Sequence, residues 1–194
     1  MGSGSAGART RVSDSGYVRK SRRTAYENRW LRFEAHDMIH PNGQAGEHGV
    51  VVTPRASATV VLDGDDVVLA RQARYAVDRI VLEIVKGGAE AGEDPQAAAA
   101  RELREELGLV AARWDDLGIV YEIPSIVQEH VSLFLAREIG AVASAPEDIE
   151  TIELVRLPFR DALRAAGRGE ITDAVTATAL LRAAQYLEDE RTTR

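Results

Sequence analysis

The chain has 194 residues, 45% hydrophobic and 28% charged, which is enough apolar material for one fully cored domain with an N-terminal extension. Its net charge of −7 and pI of about 5.2 argue against binding a nucleic-acid backbone over a broad basic surface, but not against a small anionic substrate whose charge a local metal neutralises. The absence of cysteine excludes disulfides, a thiol nucleophile and Cys-based zinc sites, and the four histidines are too scattered for a zinc pattern.

Residues 1–16 are rich in Gly and Ser with interspersed Arg, and read as a flexible tail. From Arg23 to Val52 the pattern is β-like. Tyr26, Trp30, Leu31, Phe33 and Met38 precede a polar turn at Pro41-Asn42-Gly43, and Val50, Val51 and Val52 follow it. Residues 17–55 therefore read as a small antiparallel β unit ahead of a main domain over 56–194. Trp30 reads as an anchor for a core or dimer contact, or as an aromatic face on which a base stacks.

Residues 58–62 and 67–71 are apolar runs flanking Asp63-Gly64-Asp65, so a β-hairpin is expected. Residues 78–85 read as a strand leading into a glycine-rich loop over 87–92. A helix is predicted over 95–107, with Asp94 as N-cap, Pro95 at its first position and Gly108 just past its end. Residues 117–123 and 131–136 are two further strands joined by 124–130, and 151–157 is a last strand. Residues 159–166 and 171–187 read as helices, separated at Gly167 and Gly169. Strands with one helix among them and helices at the end predict an α/β fold, a mixed sheet between helical layers. No apolar run reaches membrane-spanning length and no signal-peptide apolar region is seen, so no membrane partner and a cytoplasmic location are expected.

The helix over 95–107 carries the chemistry. With Glu102 at zero on the helical wheel, Glu106 lies about 40° to one side and Glu105 about 60° to the other. Leu103, Leu107 and Ala100 fill another arc that can face a core. Like charges one turn apart destabilise an isolated helix. Arg101 and Arg104 point to other sides of the wheel, whereas a divalent cation would offset the repulsion, and carboxylates are hard oxygen ligands suited to Mg²⁺ or Mn²⁺. A solvated acidic face is the bland alternative.

The surrounding pattern decides between them. Gly87, five residues, Glu93, seven residues, Arg101-Glu102-Leu103, one residue, Glu105-Glu106, one residue and Gly108-Leu109 resembles the Nudix box at every defining position. The resemblance implies a Nudix α/β/α sandwich and a metal-dependent hydrolase of nucleoside diphosphates linked to another group. It implies Glu102 and Glu106 as metal ligands with Glu105 a close third, and a backbone carbonyl just before the first box glycine, here that of Lys86. Glu93 and Arg101 are expected to brace the loop as an ion pair.

The chain further resembles the ADP-ribose pyrophosphatase branch of that family, which takes its general base from a glutamate on a loop beyond the box. Pro124 and Gln128-Glu129-His130, just before 131–136, match in placement. This makes Glu129 the expected base, with Glu105 as a second catalytic carboxylate and Glu122 and His130 as competitors; the intrinsic pKa of histidine suits the role. Arg74, after Leu69-Ala70-Arg71-Gln72-Ala73, resembles a substrate-binding arginine of that branch, and Arg71 and Glu83 are further substrate-contact candidates. The N-terminal unit is similar in length and position to one that mediates homodimerisation and adenine contacts there, which brings in Trp30. The branch usually has Pro-Gly after the box and Pro-Ala-Gly leading into it, where this chain has Pro124-Ser125 and Val85-Lys86-Gly87. That combination looks more like family members acting on several ADP compounds, diadenosine polyphosphates and NADH included. The resemblance thus implies cleavage of ADP-ribose or a related ADP-sugar to AMP and a sugar phosphate. A broader pyrophosphatase that also takes nucleotide sugars such as GDP-mannose, and a non-catalytic ligand sensor, are the alternatives.

Overall fold

A computed structural model describes residues 14–142 and 153–193, in two compact units. The first unit takes the chain up to Thr53 together with residues 123–128. It holds an antiparallel three-stranded sheet of β1 (Val18–Glu27), β2 (Arg32–Ile39) and β3 (Ala45–Val52), in that order. The β1–β2 connection turns on Asn28, whose side-chain oxygen accepts the backbone N–H groups of Trp30 (2.8 Å) and Leu31 (2.9 Å). Trp30 is not a core anchor within the unit: it is 62% exposed, with the Arg29 guanidinium 4.1 Å above its ring. Residues 123–128, expected to be the end of a strand and part of the connection 124–130 within the main domain, group with this unit. The Val51 N–H donates to Ile126 O (2.7 Å) and the Gln128 N–H to Val51 O (2.9 Å).

The second unit contains residues 54–122 and 129–194. Its strands are β4 (Ala56–Asp63), β5 (Asp66–Arg74), β6 (Arg79–Glu83), β7 (Val85–Gly88), β8 (Leu109–Val120), β9 (Val131–Ala141) and β10 (Glu153–Pro158). Its helices are α1 (Pro95–Leu107), α2 (Phe159–Gly167) and α3 (Ala174–Thr193). The sheet runs β10-β5-β4-β9-β8, with β6 against β5 and β7 against β4. Among the described residues of this sheet only the β4–β9 pair is parallel, so the sheet is mixed.

Period-two alternation sorts the sheet residues between two cores. Ala58, Val60, Leu62, Val67, Leu69, Ile84, Leu133 and Leu135 pack with Val175, Ala179, Leu180 and Ala183 of α3 and Ala162 of α2. Val61, Val68, Val85 and Ala136 pack with Leu103 and Leu107 of α1. Both faces are covered, which is why β4 and β5 are apolar runs rather than alternating ones.

Four local differences from the sequence reading have plain causes. The strand before the box continues through Gly87 and Gly88, because Ser57↔Gly87 and Ala56↔Gly88 pair across to β4. Its earlier part is a separate strand, interrupted at Ile84. Strand β8 starts at Leu109, directly after the helix stop, and its longer pairing with β9 outweighs the polar residues in between. In α1 the fully buried stripe is Ala99, Leu103 and Leu107 at i, i+4, i+8, with Ala98 beside it, and Ala100 stays on the shoulder. Residues 151 and 152 of the expected last strand lie outside the described residues.

One ion-pair network staples α3 to β8 and β9. Arg137 and Arg113 both reach Asp115 and Glu190, and the Tyr186 hydroxyl donates to Asp115 (2.7 Å). Burial pushes the Asp115 carboxyl up, but the hydrogen bonds of Tyr186 and Arg137 and the charge of both arginines outweigh it and hold it below its ordinary value. The Arg137 and Arg113 hydrogen bonds lower Glu190 to about 2. A depressed carboxyl contributes stability that is complete above its unfolded pKa and is lost as pH falls through the folded one. The midpoint of urea unfolding should therefore fall between about pH 4 and about pH 2, and fall less steeply in Glu190→Gln. Equal slopes for the two proteins would remove this network as a source of acid sensitivity.

Candidate active site

The glycine-rich segment and α1 are built by local rules. Asp94 caps the helix, its carboxylate accepting the N–H groups of Gln96 (3.0 Å) and Ala97 (3.1 Å), an arrangement that stabilises a helix by about 1 kcal/mol. Gly108 ends the helix at φ 65°, in the left-handed region, and returns its N–H to Arg104 O. Ser57, the β4 partner of Gly87, donates its hydroxyl to Pro95 O at 2.7 Å. The start of α1 is thus pinned to the strand pair that faces its acidic turn.

Glu102 lies against that strand pair. A Cβ added at Gly87 would sit 2.0 Å from the Glu102 carboxyl carbon and 2.3 Å from both carboxyl oxygens. Only a residue without a side chain lets the carboxylate approach the β7 backbone so closely. Burial pushes the Glu102 carboxyl up, more than its contact with Arg101 pulls it down. A carboxylate is a hard-oxygen donor, and the Glu102 carboxylate at this glycine cradle fits Mg²⁺ or Mn²⁺.

Arg101 closes across the acidic arc of α1. Its guanidinium reaches Glu102 (2.7 Å), Glu105 (3.1 Å), Glu93 (3.1 Å to each oxygen) and Gly88 O (2.8 Å). Cα direction alone had turned it away from the acidic arc, but its long side chain folds back across it. Arg101 hydrogen bonding and the Glu90 N–H hold the Glu93 carboxyl low, so the loop brace is a charged pair. Glu105 is half exposed and Glu106 partly buried. Among the described residues no three His, Asp or Glu side chains already converge as a metal cluster.

The remaining sequence candidates divide into separate groups. Arg74 and Glu83 bind each other in a bidentate pair (2.9 and 2.8 Å), joining the end of β5 to β6. The Glu83 side chain is only 5% exposed, so this is a buried charge with its counter-ion. Arg71 points elsewhere, to Glu153 of β10 (2.9 and 3.1 Å). Lys86 sends its ammonium to Glu122 (3.2 Å) and Asp173 (3.5 Å). Glu129 is partly buried in the loop before β9, and His130 meets Tyr121 edge-on at 6.0 Å between ring centroids. The structure therefore links Glu93, Glu102 and Glu105 through Arg101, and sets Glu102 against Gly87. Asp173 was missed by sequence reasoning. Its signal was a capping pattern, Asp173 with Thr176 three residues on, inside a stretch read as already helical.

A family model described as NUDIX domain matches residues 52–176. The ADP-ribose pyrophosphatase of Bacillus subtilis is 34% identical over 155 residues, 78% of this chain and 82% of that protein. The ADP-ribose pyrophosphatase of Mycobacterium tuberculosis is 32% identical over 146 residues, 73% of this chain and 70% of that protein. A solved ADP compounds hydrolase superposes with a TM-score of 0.80, over 90% of this chain and 95% of that one, at 22% identity, a likeness of fold. The family match covers well over half of the chain and spans the paired strands, the glycine cradle and the acidic helix, so this chain belongs to the Nudix family.

Proposed function

We propose that this chain hydrolyses the pyrophosphate bond of ADP-ribose or a related ADP-sugar, giving AMP and a sugar phosphate, with Mg²⁺ or Mn²⁺ as cofactor. The observation that carries the reading is the Glu102 carboxylate seated against Gly87 in an intact acidic helix turn. The identity to two ADP-ribose pyrophosphatases supports the substrate class. Residues 56–194 form the hydrolase domain in this reading. Residues 17–55 form a unit for homodimerisation, and the exposed Trp30 indole offers a stacking face for adenine. No helix among the described residues is long and apolar enough to cross a membrane, and the cytoplasm is the site of action that goes with the reading.

When bound, the cation supplies charge neutralisation at the phosphate oxygens and orients the attacking water. Glu102, Glu106 and the Lys86 carbonyl would hold it, with Glu105 as a further carboxylate of the site. Arg101 keeps Glu102 and Glu105 in place from the side of the loop. Glu129 accepts the proton of the attacking water, and Glu122 is engaged with Lys86, which weakens its claim to that role. Glu83 orients the Arg74 guanidinium toward the substrate phosphates. Arg71, committed to Glu153 on an exposed edge, is the weakest of the substrate contacts.

The test is phosphatase-coupled product release from ADP-ribose, NADH, diadenosine polyphosphates, GDP-mannose and nucleoside triphosphates, with and without Mg²⁺. The reading expects metal-dependent turnover with ADP-ribose preferred. A flat profile across ADP compounds would move the chain to the broader class, and ligand binding without turnover would make it a sensor.

Three variants and one control probe the assigned roles. Glu106→Gln should keep the circular dichroism of the parent and lose most of its turnover; parent-like activity would remove it from the metal site. Glu129→Gln should lower kcat by about 10²–10⁴-fold while leaving metal affinity nearly unchanged. Full activity there would pass the base to His130 or Glu122. Gly87→Ala should displace Glu102 and destabilise the domain by about 1–3 kcal/mol in urea unfolding. Gly88→Ala, whose added Cβ would meet nothing closer than Pro54 Cβ at 3.9 Å, should cost at most about 0.5 kcal/mol.

A further inference from the structure

Ile84 and strand β7 after it present successive residues to opposite helical layers. Val85 packs in the α1 core and Gly87 receives Glu102 of α1. Ile84 packs in the α3 core, and Lys86 sends its side chain to Asp173, which caps α3. The two α3-facing positions converge on one residue pair. The Ile84 N–H donates to Thr176 Oγ1 (3.0 Å), and that hydroxyl donates to Asp173 Oδ2 (2.6 Å). The Thr176 N–H reaches the same oxygen (2.8 Å). Lys86 Nζ donates to the other oxygen, Oδ1 (3.5 Å), and to Glu122 Oε1 (3.2 Å).

We propose that Lys86 is a positioning residue: its ammonium, held between Asp173 and Glu122, ties the β7 backbone to the cap of α3 and so sets the placement of the Lys86 carbonyl and the Gly87 cradle against Glu102. This rests on the metal-site reading given above. The Lys86 side chain is only 19% exposed, and such a cation stays buried only with counter-charges in place. Burial would pull the ammonium down, but Asp173, Glu122 and Glu83 outweigh it and hold it above the ordinary lysine value. Loss of the ammonium leaves Asp173 with both Thr176 donors. No carboxylate in the cap is then stranded, so the lysine can be removed without unfolding the protein. What disappears is the link between the strand and the cap.

The experiment measures Mn²⁺ binding to the full chain in the absence of substrate, by the electron paramagnetic resonance signal of free Mn²⁺, alongside the thermal midpoint. Lys86→Met and Asp173→Asn should each weaken Mn²⁺ binding by about tenfold, the range found when groups supporting a metal site are removed. The double variant should be no weaker than either single one. Lys86→Arg should recover most of the affinity. Tyr186→Phe, which breaks a remote α3 contact, should lower the thermal midpoint and leave Mn²⁺ binding unchanged.

Parent-like Mn²⁺ affinity in Lys86→Met, whatever its thermal midpoint, would overturn the proposal. A raised KM at unchanged Mn²⁺ affinity would do the same, by making Lys86 a substrate ligand. If Lys86→Met does not fold, Asp173→Asn with parent-like affinity decides against the proposal in its place. Parent-like Mn²⁺ affinity in Glu102→Gln and Glu106→Gln would instead bring down the metal-site reading itself, a different result from a failure confined to Lys86 and Asp173.

Discussion

The contact on which the site depends is a carboxylate resting on bare backbone. Glu102 sits where Gly87 would carry its side chain, so the acidic turn of α1 and the strand beneath it come closer than any other pair of residue types allows. That closeness has a cost, because a carboxylate out of water disfavours its charge. The surrounding structure offsets it twice. Arg101 binds Glu102 directly, and Ser57 holds Pro95 on the same strand pair, so the helix is anchored at its start and again about 10 Å along, at Glu102. A helix anchored at two points on one sheet cannot rotate, and its three carboxylates keep their bearing.

The sheet makes this possible by being covered on both sides. Its middle strands divide their residues between the α1 core and the α2–α3 core with strict alternation. This much was legible in the chain. The apolar runs over 58–62 and 67–71, the turn between them and the helix over 95–107 with its Asp94 and Gly108 ends are short-range signals, decided by residues a few positions apart. The box pattern was legible for the same reason. Its glycine, carboxylates and arginine lie within one local loop and helix.

What sequence could not give depends on side-chain reach and long-range pairing. A helical wheel treats each residue as a direction from the axis. Arg101 defeats it, because its guanidinium travels far enough to join Glu93, Glu102 and Glu105 at once. Arg74 and Glu83 are separate substrate-contact candidates in the sequence, where nothing pairs them with each other. Strand pairing makes them partners, across a register that joins Arg74 to Arg79 and Ala70 to Glu83. Glu83 could not be buried alone, and removal of Arg74 would strand it at a cost of about 3–5 kcal/mol. The loss of activity in an Arg74 variant is therefore a mixed signal of binding and folding. The split of the strand before the box at Ile84 and the grouping of 123–128 with the first unit likewise come from backbone pairings between distant segments.

Lys86 shows how far a local rule can be right and still incomplete. A backbone carbonyl serves as a ligand whatever side chain its residue carries, and from the sequence the identity of residue 86 is immaterial. Within the folded sheet it is not, because a strand residue acts through its side chain on one face while its neighbour acts on the other. Ile84 and Lys86 are tied to the cap of α3, and Val85 and Gly87 meet α1. A short strand held this way couples the two helical layers through its own stiffness. A displacement of the α3 cap by a fraction of an ångström then reaches the cradle one residue away, where no Cβ intervenes to absorb it. The tolerance at Gly87 is set by Glu102, which already lies closer than a methyl group permits, and so, in the role proposed for Lys86, the α3 face of the sheet constrains the α1 face that carries Glu102.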